Sequence, residues 1–571
     1  TPSNVEEGYL ARLLIRRCLR TLKLLGLEGR LPEIMSLQID KWSRDFPRLR
    51  EMRSEILEML SVEGEKYERT IKRGSEVVQR IVQELKAEGL DTMPEETLIE
   101  LYDSHGIVPE IVSELAPEIR VRVPDNFFSM VAQRHISTRP KEETPLAQRL
   151  SERVSHVPST RLLYYEDEKL MRFKSRVVEI IDNLVALDQT CFYPEGGGQV
   201  ADTGLLKFNG NTANVVDVQK VGGVVLHALE GPIPQLGSEV EGVVDKDRRM
   251  SLMRHHTATH ILIGAARRVL GEHAWQAGAR KEADKSRLDI SHFRHLTSKE
   301  VEEIERMAIR TVTDDLPVEV AWMPRQEAEK KFGYRIYQGG AVPGREIRIV
   351  NIAGWDVEAC GGTHCSRTGE VGIIKILKVE RPQDGVERLI FATGEQALRY
   401  IQEKEAILGQ ISELVDAPLD KLTETLSGII SREREYRRIV ERSRQESVDQ
   451  EAAEASKASK PVDGVKIVLV KKQAGDDKTM ILLSSRIAEA DPSAVAIVAV
   501  KEPSARIFVS AGARARERGV HAGRLSSELA KIVGGGGGGK PYFGQGGGTE
   551  VDRLDEALQK AEEYVKRQLS K

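Results

Sequence analysis

Residues 254–264 read RHHTATHILIG, and residues 358–365 read EACGGTHC. On the helix that the first stretch predicts, His256 and His260 stand four apart, so one turn brings both imidazoles to the same face. Cys360 and His364 are likewise four apart, and the two glycines between them predict a turn that folds thiolate and imidazole inward together. One cysteine and three histidines form a soft, nitrogen-rich tetrahedral set whose natural occupant is one zinc ion. A lone HxxxH more often marks a solvated helix face; the second pair, a hundred residues on, gives the metal reading its weight. Four protein ligands ordinarily close a structural site, whereas a catalytic zinc keeps a position open, and the spacing leaves that choice undecided. His255 and Cys365 adjoin the four and point elsewhere on simple geometry.

Around these pairs, short β-branched runs alternate with helical text. From Arg161, runs such as Val185–Leu187, Ala213–Val218 and Gly223–Leu229 are separated by Gly, Asp and Asn, the pattern of a small β-rich unit. It contains FYPEGGGQVADTG (192–204), where three successive glycines allow a tight turn and close backbone approach. A helix opened at Asp247 and stopped at Gly271 carries the first histidine pair. A further helix over 298–313 and strands over 346–352, 373–379 and 386–392 complete an α+β domain ending near Thr393.

The flanks differ from this centre. Residues 8–150 are rich in Leu, Glu, Lys and Arg at helical spacing. The first helix is expected to turn Leu10, Leu13, Leu14, Cys18, Leu22 and Leu25 to the core and to leave Arg12, Arg16, Arg20 and Lys23 as a basic solvent face. Residues 139–159 read as linker or peripheral helix. Residues 395–459 return to helix, an extended arm with coiled-coil character interrupted at Gly409, Pro418 and Gly428. The last stretch reads strand (465–470), helix (478–490), strands (494–500 and 506–510), helix (522–533), glycine loop and final helix (550–568). The expected fold is multidomain, α and α+β. An all-helical domain spans 1–150 and a zinc-bearing α+β domain with a small β-rich subdomain spans 160–394. A helical arm follows over 395–459, then a globular, glycine-rich α/β module over 460–571.

Composition bounds the function. At 571 residues the chain holds about three to five domains. No apolar run reaches transmembrane length, and an intracellular, cytoplasmic protein is expected. With 85 Lys and Arg against 89 Asp and Glu, the net charge of -4 provides no global attraction to nucleic acid, so any polyanion site must be local. Four scattered cysteines exclude a disulfide framework. The glycine run GGGGGGKPYFGQGGGTE (534–550) imitates a phosphate-binding P-loop, but Pro541 stands where the Mg²⁺-binding hydroxyl must be and a helix precedes it. Its amides, with Lys540 and Arg524, are better suited to an RNA backbone.

The combination of GGGQVADTG, HHTATH and CGGTH resembles the editing domain of alanyl-tRNA synthetases and of the free-standing AlaX editing proteins. The opening PSNVEEGYLARLLIRRCLR and the segment LYDSHG (101–106) resemble the synthetases' tRNA-recognition helices, and the glycine-rich terminus resembles their C-terminal module. The free-standing editors lack both flanks. The resemblance implies hydrolysis of mischarged Ser-tRNA(Ala) and Gly-tRNA(Ala) with His256, His260, Cys360 and His364 as zinc ligands. It also implies recognition of the acceptor-stem G3:U70 pair by Asn4 and Asp103, phosphate contacts from Arg12, Arg16, Arg20 and Lys23, and a homodimer through the C-terminal module. Thr363 and Gln276 are the candidate readers of the serine hydroxyl, because a site that hydrogen-bonds a hydroxyl leaves its own groups unpaired when alanine enters. The backbone N–H groups of the GGGQ turn are candidate donors to an oxyanion. The family's class II aminoacylation core, with its ATP and Mg²⁺ requirement, is expected to be absent from this chain. Two other readings compete: a non-catalytic, zinc-stapled RNA-binding protein, and a stand-alone deacylase of the AlaX kind.

Overall fold

The computed structural model describes residues 1–3, 6–105, 107–124, 127, 130, 145–338, 340 and 342–570. The chain divides into two compact units, Thr1–Glu405 and Ala406–Lys571.

The first unit begins with helices at Glu6–Leu24, Leu31–Trp42, Arg53–Ala87, Glu95–His105, Pro109–Leu115 and Pro145–Val154, among shorter turns. Val78, Leu98, Leu101, Ile107 and Val112 form the buried centre of the middle helices. The helix Glu6–Leu24 is turned differently from expectation. Leu10, Leu14 and Leu25 are 56%, 53% and 65% exposed, while Arg12 is buried. Arg12 and Arg16 share the carboxylate of Glu63 at 3.0 and 2.9 Å, Arg12 also reaches Asp384, and Arg20 pairs with Glu114 at 2.6 Å. The expected solvent-facing stripe is therefore corrected at these three arginines; of that set only Lys23 lies exposed. The cause is the neighbours. Glu63 is 2% exposed on the long helix beside it, and a buried carboxylate draws guanidinium groups inward more strongly than exposed leucines resist.

A six-stranded closed barrel follows, its strands (Arg172–Ile181, Leu184–Leu187, Gly204–Phe208, Asn211–Val221, Val224–Glu230 and Glu239–Val244) all paired antiparallel. Period-two alternation sends Val177, Val185, Leu206, Val215 and Val218 into its core. The helix carrying the histidines, Lys246–Leu270, is capped by Asp245, two residues before the expected start, and ends at Gly271. It is buried on nearly every side. On one side lies a four-stranded sheet in the order Ile374–Gln383, Val386–Thr393, Ser286–Ser291, Gln276–Lys281. A three-stranded sheet (Val318–Pro324, Glu346–Ile352, Asp356–Ala359) carries the CGGTH loop at its end.

Register in that small sheet decides which residues share a face. Trp322 lies opposite Arg348, Val350 opposite Glu358 and Ile352 opposite Asp356, so these side chains point together toward the histidine helix. Ile347 and Ile349 point the other way, into a cluster with Ala328 and Ile336.

The second unit contains the end of the helix Gly394–Leu414, a 36-residue helix Leu422–Lys457, and a six-stranded sheet. Gly409 and Gly428 are accommodated inside these helices, and the break falls at 415–421, around Pro418. The sheet runs Lys460–Val462, Val465–Lys472, Ala494–Val500, Ala505–Ala511, Phe543–Gly548, Gly535–Gly539. The glycine run is thus not a loop, a correction to the expectation. Gly535–Gly539 and Phe543–Gly548 pair as an antiparallel hairpin, whose ladder takes up the backbone groups between the two strands, with Gly535–Gly539 at the edge of the sheet. Glycine has poor strand propensity, and here contact with the helix Ala522–Ile532 overrides it.

Candidate metal and ester site

The helix Lys246–Leu270 and the turn before Cys365 bring His256, His260, Cys360 and His364 together, one ligand atom from each within 4.8 Å of the others. Cys360 Sγ lies 3.2 Å from His256 Nε2 and 3.4 Å from His364 Nε2. Tetrahedral zinc bonds of about 2.0–2.3 Å separate neighbouring donor atoms by roughly 3.3–3.8 Å, so the donor set matches the ion in kind, and the two separations from Cys360 Sγ lie near that range. Burial of Cys360 favours the neutral thiol, but the three imidazoles around it outweigh that and hold it well below the usual thiol range. Burial likewise disfavours charge on His260, yet Glu358, Asp356 and Cys360 raise it to about 10 in the metal-free chain.

Each ligand is held from behind. Gln199 Oε1 accepts from His256 Nδ1 at 2.8 Å and from the backbone N–H of Thr363 at 3.1 Å, and its amide donates to Thr363 Oγ1 at 2.9 Å. That bond places the proton on Nδ1 and leaves Nε2 for the centre. His260 Nδ1 faces Asp356 and Glu358, each at 3.5 Å, with Arg267 bound to Asp356 at 2.9 Å. The His364 backbone N–H donates to Glu168, whose other oxygen pairs with Arg348. Arg348 in turn donates to the carbonyls of Cys360 and Gly362 at 2.8 and 2.9 Å. Gly362 has to be glycine, since a Cβ there would stand 2.0 Å from His256 Cε1.

The GGGQ turn reaches this centre through Gln199. Gly198 (φ +76°) approaches the carbonyl of Ala279 so closely that a Cβ would lie 2.3 Å from it. Lys281, almost fully buried, donates from Nζ to Gly197 O at 3.0 Å. Of the turn's amides, those of Gly196 and Gln199 bond to each other's carbonyls, which narrows the candidate oxyanion donors to those of Gly197 and Gly198.

Among the other sequence-derived candidates, Thr363 is buried beside the four. Gln276 is half-buried at the start of its strand, where its backbone donates to Gln338. Lys540 is exposed at the tip of the glycine hairpin. Asn4 lies outside the described residues, as does the side chain of Asp103. His255 is buried and pushed down to about 4, bonded to its own helix at Ser251. Cys365 is buried and pushed up to about 12, an inert thiol. Sequence reasoning missed Gln199, Glu168, Arg348, Asp356, Glu358 and Lys281. Only Gln199 had a signal, its place in the GGGQ motif; the rest become neighbours of the site through folding alone.

With this geometry in hand, comparison with known proteins is specific. Residues 1–248 match the family model of class II (A) tRNA synthetases, residues 347–390 that of the threonyl and alanyl tRNA synthetase second additional domain, and residues 464–567 that of the DHHA1 domain. The chain is a multidomain α+β protein, and its segments are similar to a class II tRNA synthetase part, an editing-related second additional domain and a DHHA1 domain.

The relatives it is similar to are alanine–tRNA ligases. It is 44% identical to the alanine–tRNA ligase of Pyrococcus abyssi over 98% of this chain and 60% of that protein, and 42% identical to that of Methanosarcina mazei over 99% and 61%. It is 46% identical to the Thermococcus kodakarensis ligase over 78% and 49%. The chain spans about three fifths of the length of the first two relatives. The expectation that the class II part is missing is corrected by the match over residues 1–248. The class II model matches a stretch that here folds as helices and a barrel.

Proposed function

We propose that the protein acts as an alanine–tRNA ligase, joining alanine to tRNA(Ala) with ATP and Mg²⁺, and that His256, His260, Cys360 and His364 hold a zinc ion where mischarged Ser-tRNA(Ala) and Gly-tRNA(Ala) are hydrolysed. The observation that carries the hydrolytic reading is the convergence of one thiol and three imidazoles, with His256 Nδ1 held by Gln199 and His364 Nδ1 by Thr257 Oγ1. When bound, zinc supplies a Lewis acid beside the ester. The chain supplies the rest. Gln199 and Thr363 form a polar pair at the edge of the centre, and because Thr363 Oγ1 already accepts from Gln199, its own hydroxyl proton is available to a substrate hydroxyl. Serine satisfies that donor and alanine does not, which is the discrimination a methyl-sized synthetic pocket lacks.

Residues 1–150 recognise tRNA in this reading, with Asn4 and Asp103 at the G3:U70 pair. Residues 160–394 edit, 395–459 form the arm, and 460–571 dimerise and meet RNA through Lys540, all in the cytoplasm. Equal binding of tRNA with G:C at that pair overturns the Asn4 and Asp103 assignment.

The decisive measurement is release of serine from Ser-tRNA(Ala) by the chain, with and without chelator. C360A and H256A are expected to lower it at least about a hundredfold. Normal hydrolysis by a folded, zinc-free variant overturns the catalytic zinc. The competing reading, a zinc that only staples an RNA-binding protein, is favoured by the count of four protein ligands and predicts no ester loss from the wild type.

A further inference from the structure

Across the three-stranded sheet, Trp322 faces Arg348, and Arg348 is the next partner of Cys360, whose N–H donates to the Arg348 carbonyl at 3.0 Å. All three side chains lie on the face turned to the histidine helix. Two inter-strand steps of about 4.8 Å put the Trp322 backbone roughly 10 Å from that of Cys360. The indole is 54% exposed, yet its orientation is set. It meets the ring of Tyr165 edge-on, centroids 5.6 Å apart and planes at 81°. Tyr165 is pinned by its hydroxyl to Gly361 O at 2.9 Å and by the Arg348 guanidinium 5.2 Å from its ring centroid. A surface tryptophan on an edge strand is unremarkable by itself. This one is fixed, through one intervening ring, to the loop that carries Cys360 and His364.

We infer that Trp322, backed by Tyr165, is a stacking shelf for the nucleobase of the 3′-terminal nucleotide whose ester is held at Cys360 and His364; the inference rests on the hydrolytic reading of that site. An aminoacyl ester and its ribose span less than about 10 Å, so a base attached to that ribose reaches the indole when the ester lies at the cluster. Every base has a face that can stack on an aromatic ring, so the shelf takes an unpaired base and does not read a sequence.

The test uses the full chain and a non-hydrolysable probe, 3′-serylamino-3′-deoxyadenosine, against the same serylamino ribose lacking the base. Calorimetry is expected to show wild type preferring the base-bearing probe about tenfold, the contribution of one stacked base, with W322A losing that preference and W322F keeping it within about threefold. W322A is also expected to raise KM for Ser-tRNA(Ala) about tenfold with kcat unchanged, while binding wild-type amounts of zinc and melting at the wild-type temperature. Y436A, at an exposed tyrosine on the helix Leu422–Lys457, is the control and changes neither. Equal probe affinity in W322A and wild type overturns the shelf, as does a wild type that ignores the base. If the wild type hydrolyses Ser-tRNA(Ala) while W322A binds like it, the shelf alone fails. If the wild type binds the base but releases no serine, the hydrolytic reading fails and the shelf stands.

Discussion

The two glycine-rich segments, 196–199 and 534–548, share a composition and do opposite things. In the first, Gly197 and Gly198 adopt φ of +58° and +76°, turning the chain back so that Gln199 points into the site. In the second, positive φ occurs only at Gly534 (φ +70°) and Gly539 (φ +149°), at the two ends of one strand; the other glycines lie extended, and their use is the missing side chain. A Cβ on Gly544 would stand 2.5 Å from Gly523 Cα and Ser526 Oγ, so absence of bulk lets the hairpin lie directly on the helix Ala522–Ile532. One segment exploits backbone freedom and the other exploits space. Glycine count alone does not distinguish them; what each segment packs against does.

The comparison breaks most sharply at the base of the first turn. Asp202 closes that turn by bonding the Tyr193 N–H at 2.7 Å, and is itself held by Arg249, both side chains fully buried. Asp202→Asn leaves a buried guanidinium without its counter-charge and is expected to destabilise the first unit by about 3–5 kcal/mol, seen in its thermal transition. The second unit, without such a pair beneath its hairpin, keeps its transition.

Acidification acts on the same stretch. His227 is fully buried, bonded to Thr190 Oγ1 and to Val185 O, and Thr190 in turn accepts from Phe192 N–H at the start of the turn. Burial lowers His227 to about 4. Below its ordinary value of about 6.5 the unfolded chain binds the proton and the folded one does not, so stability is full above pH 6.5 and falls as pH drops toward 4, by about 3 kcal/mol in all. His227→Gln is expected to flatten that slope in unfolding experiments between pH 6.5 and 4; an unchanged slope removes His227 as its source.

Glycine substitutions then sharpen the contrast directly. Gly544→Ala is expected to cost about 1–3 kcal/mol through overpacking, measured by unfolding of the second unit, with serine release untouched. Gly198→Ala costs about 1–2 kcal/mol in backbone conformation, and its larger consequence is displacement of Gln199, read as lost serine release. Smallest of all, Gly536→Ala meets nothing within 4 Å and is expected to change stability by less than about 0.5 kcal/mol. A large loss at Gly536 would mean that the hairpin depends on glycine for more than space.

The metal-ligand geometry was legible because it is local. HxxxH needs only a helix, and CGGTH only a turn, for each pair to converge. Three of the six barrel strands, the histidine helix and the α/β order of the second unit were legible for the same reason, since each is written as period-two or period-3.6 patterning over one short stretch. The face of the first helix was not, because the carboxylates that draw Arg12 and Arg16 inward lie 372 and 47 residues away. The glycine strands were not, because glycine has no side chain to carry a pattern.

What the sequence determined by itself, then, is the donor chemistry: a thiol and three imidazoles at spacings that two local elements satisfy. Only the tertiary structure decided which residues hold them. Gln199, Glu168, Arg348, Asp356 and Glu358 come from the glycine turn, the chain before the barrel and the three-stranded sheet. Hydrogen bonds and ion pairs between them act over about 3 Å of space whatever the separation along the chain, and no periodicity records such meetings.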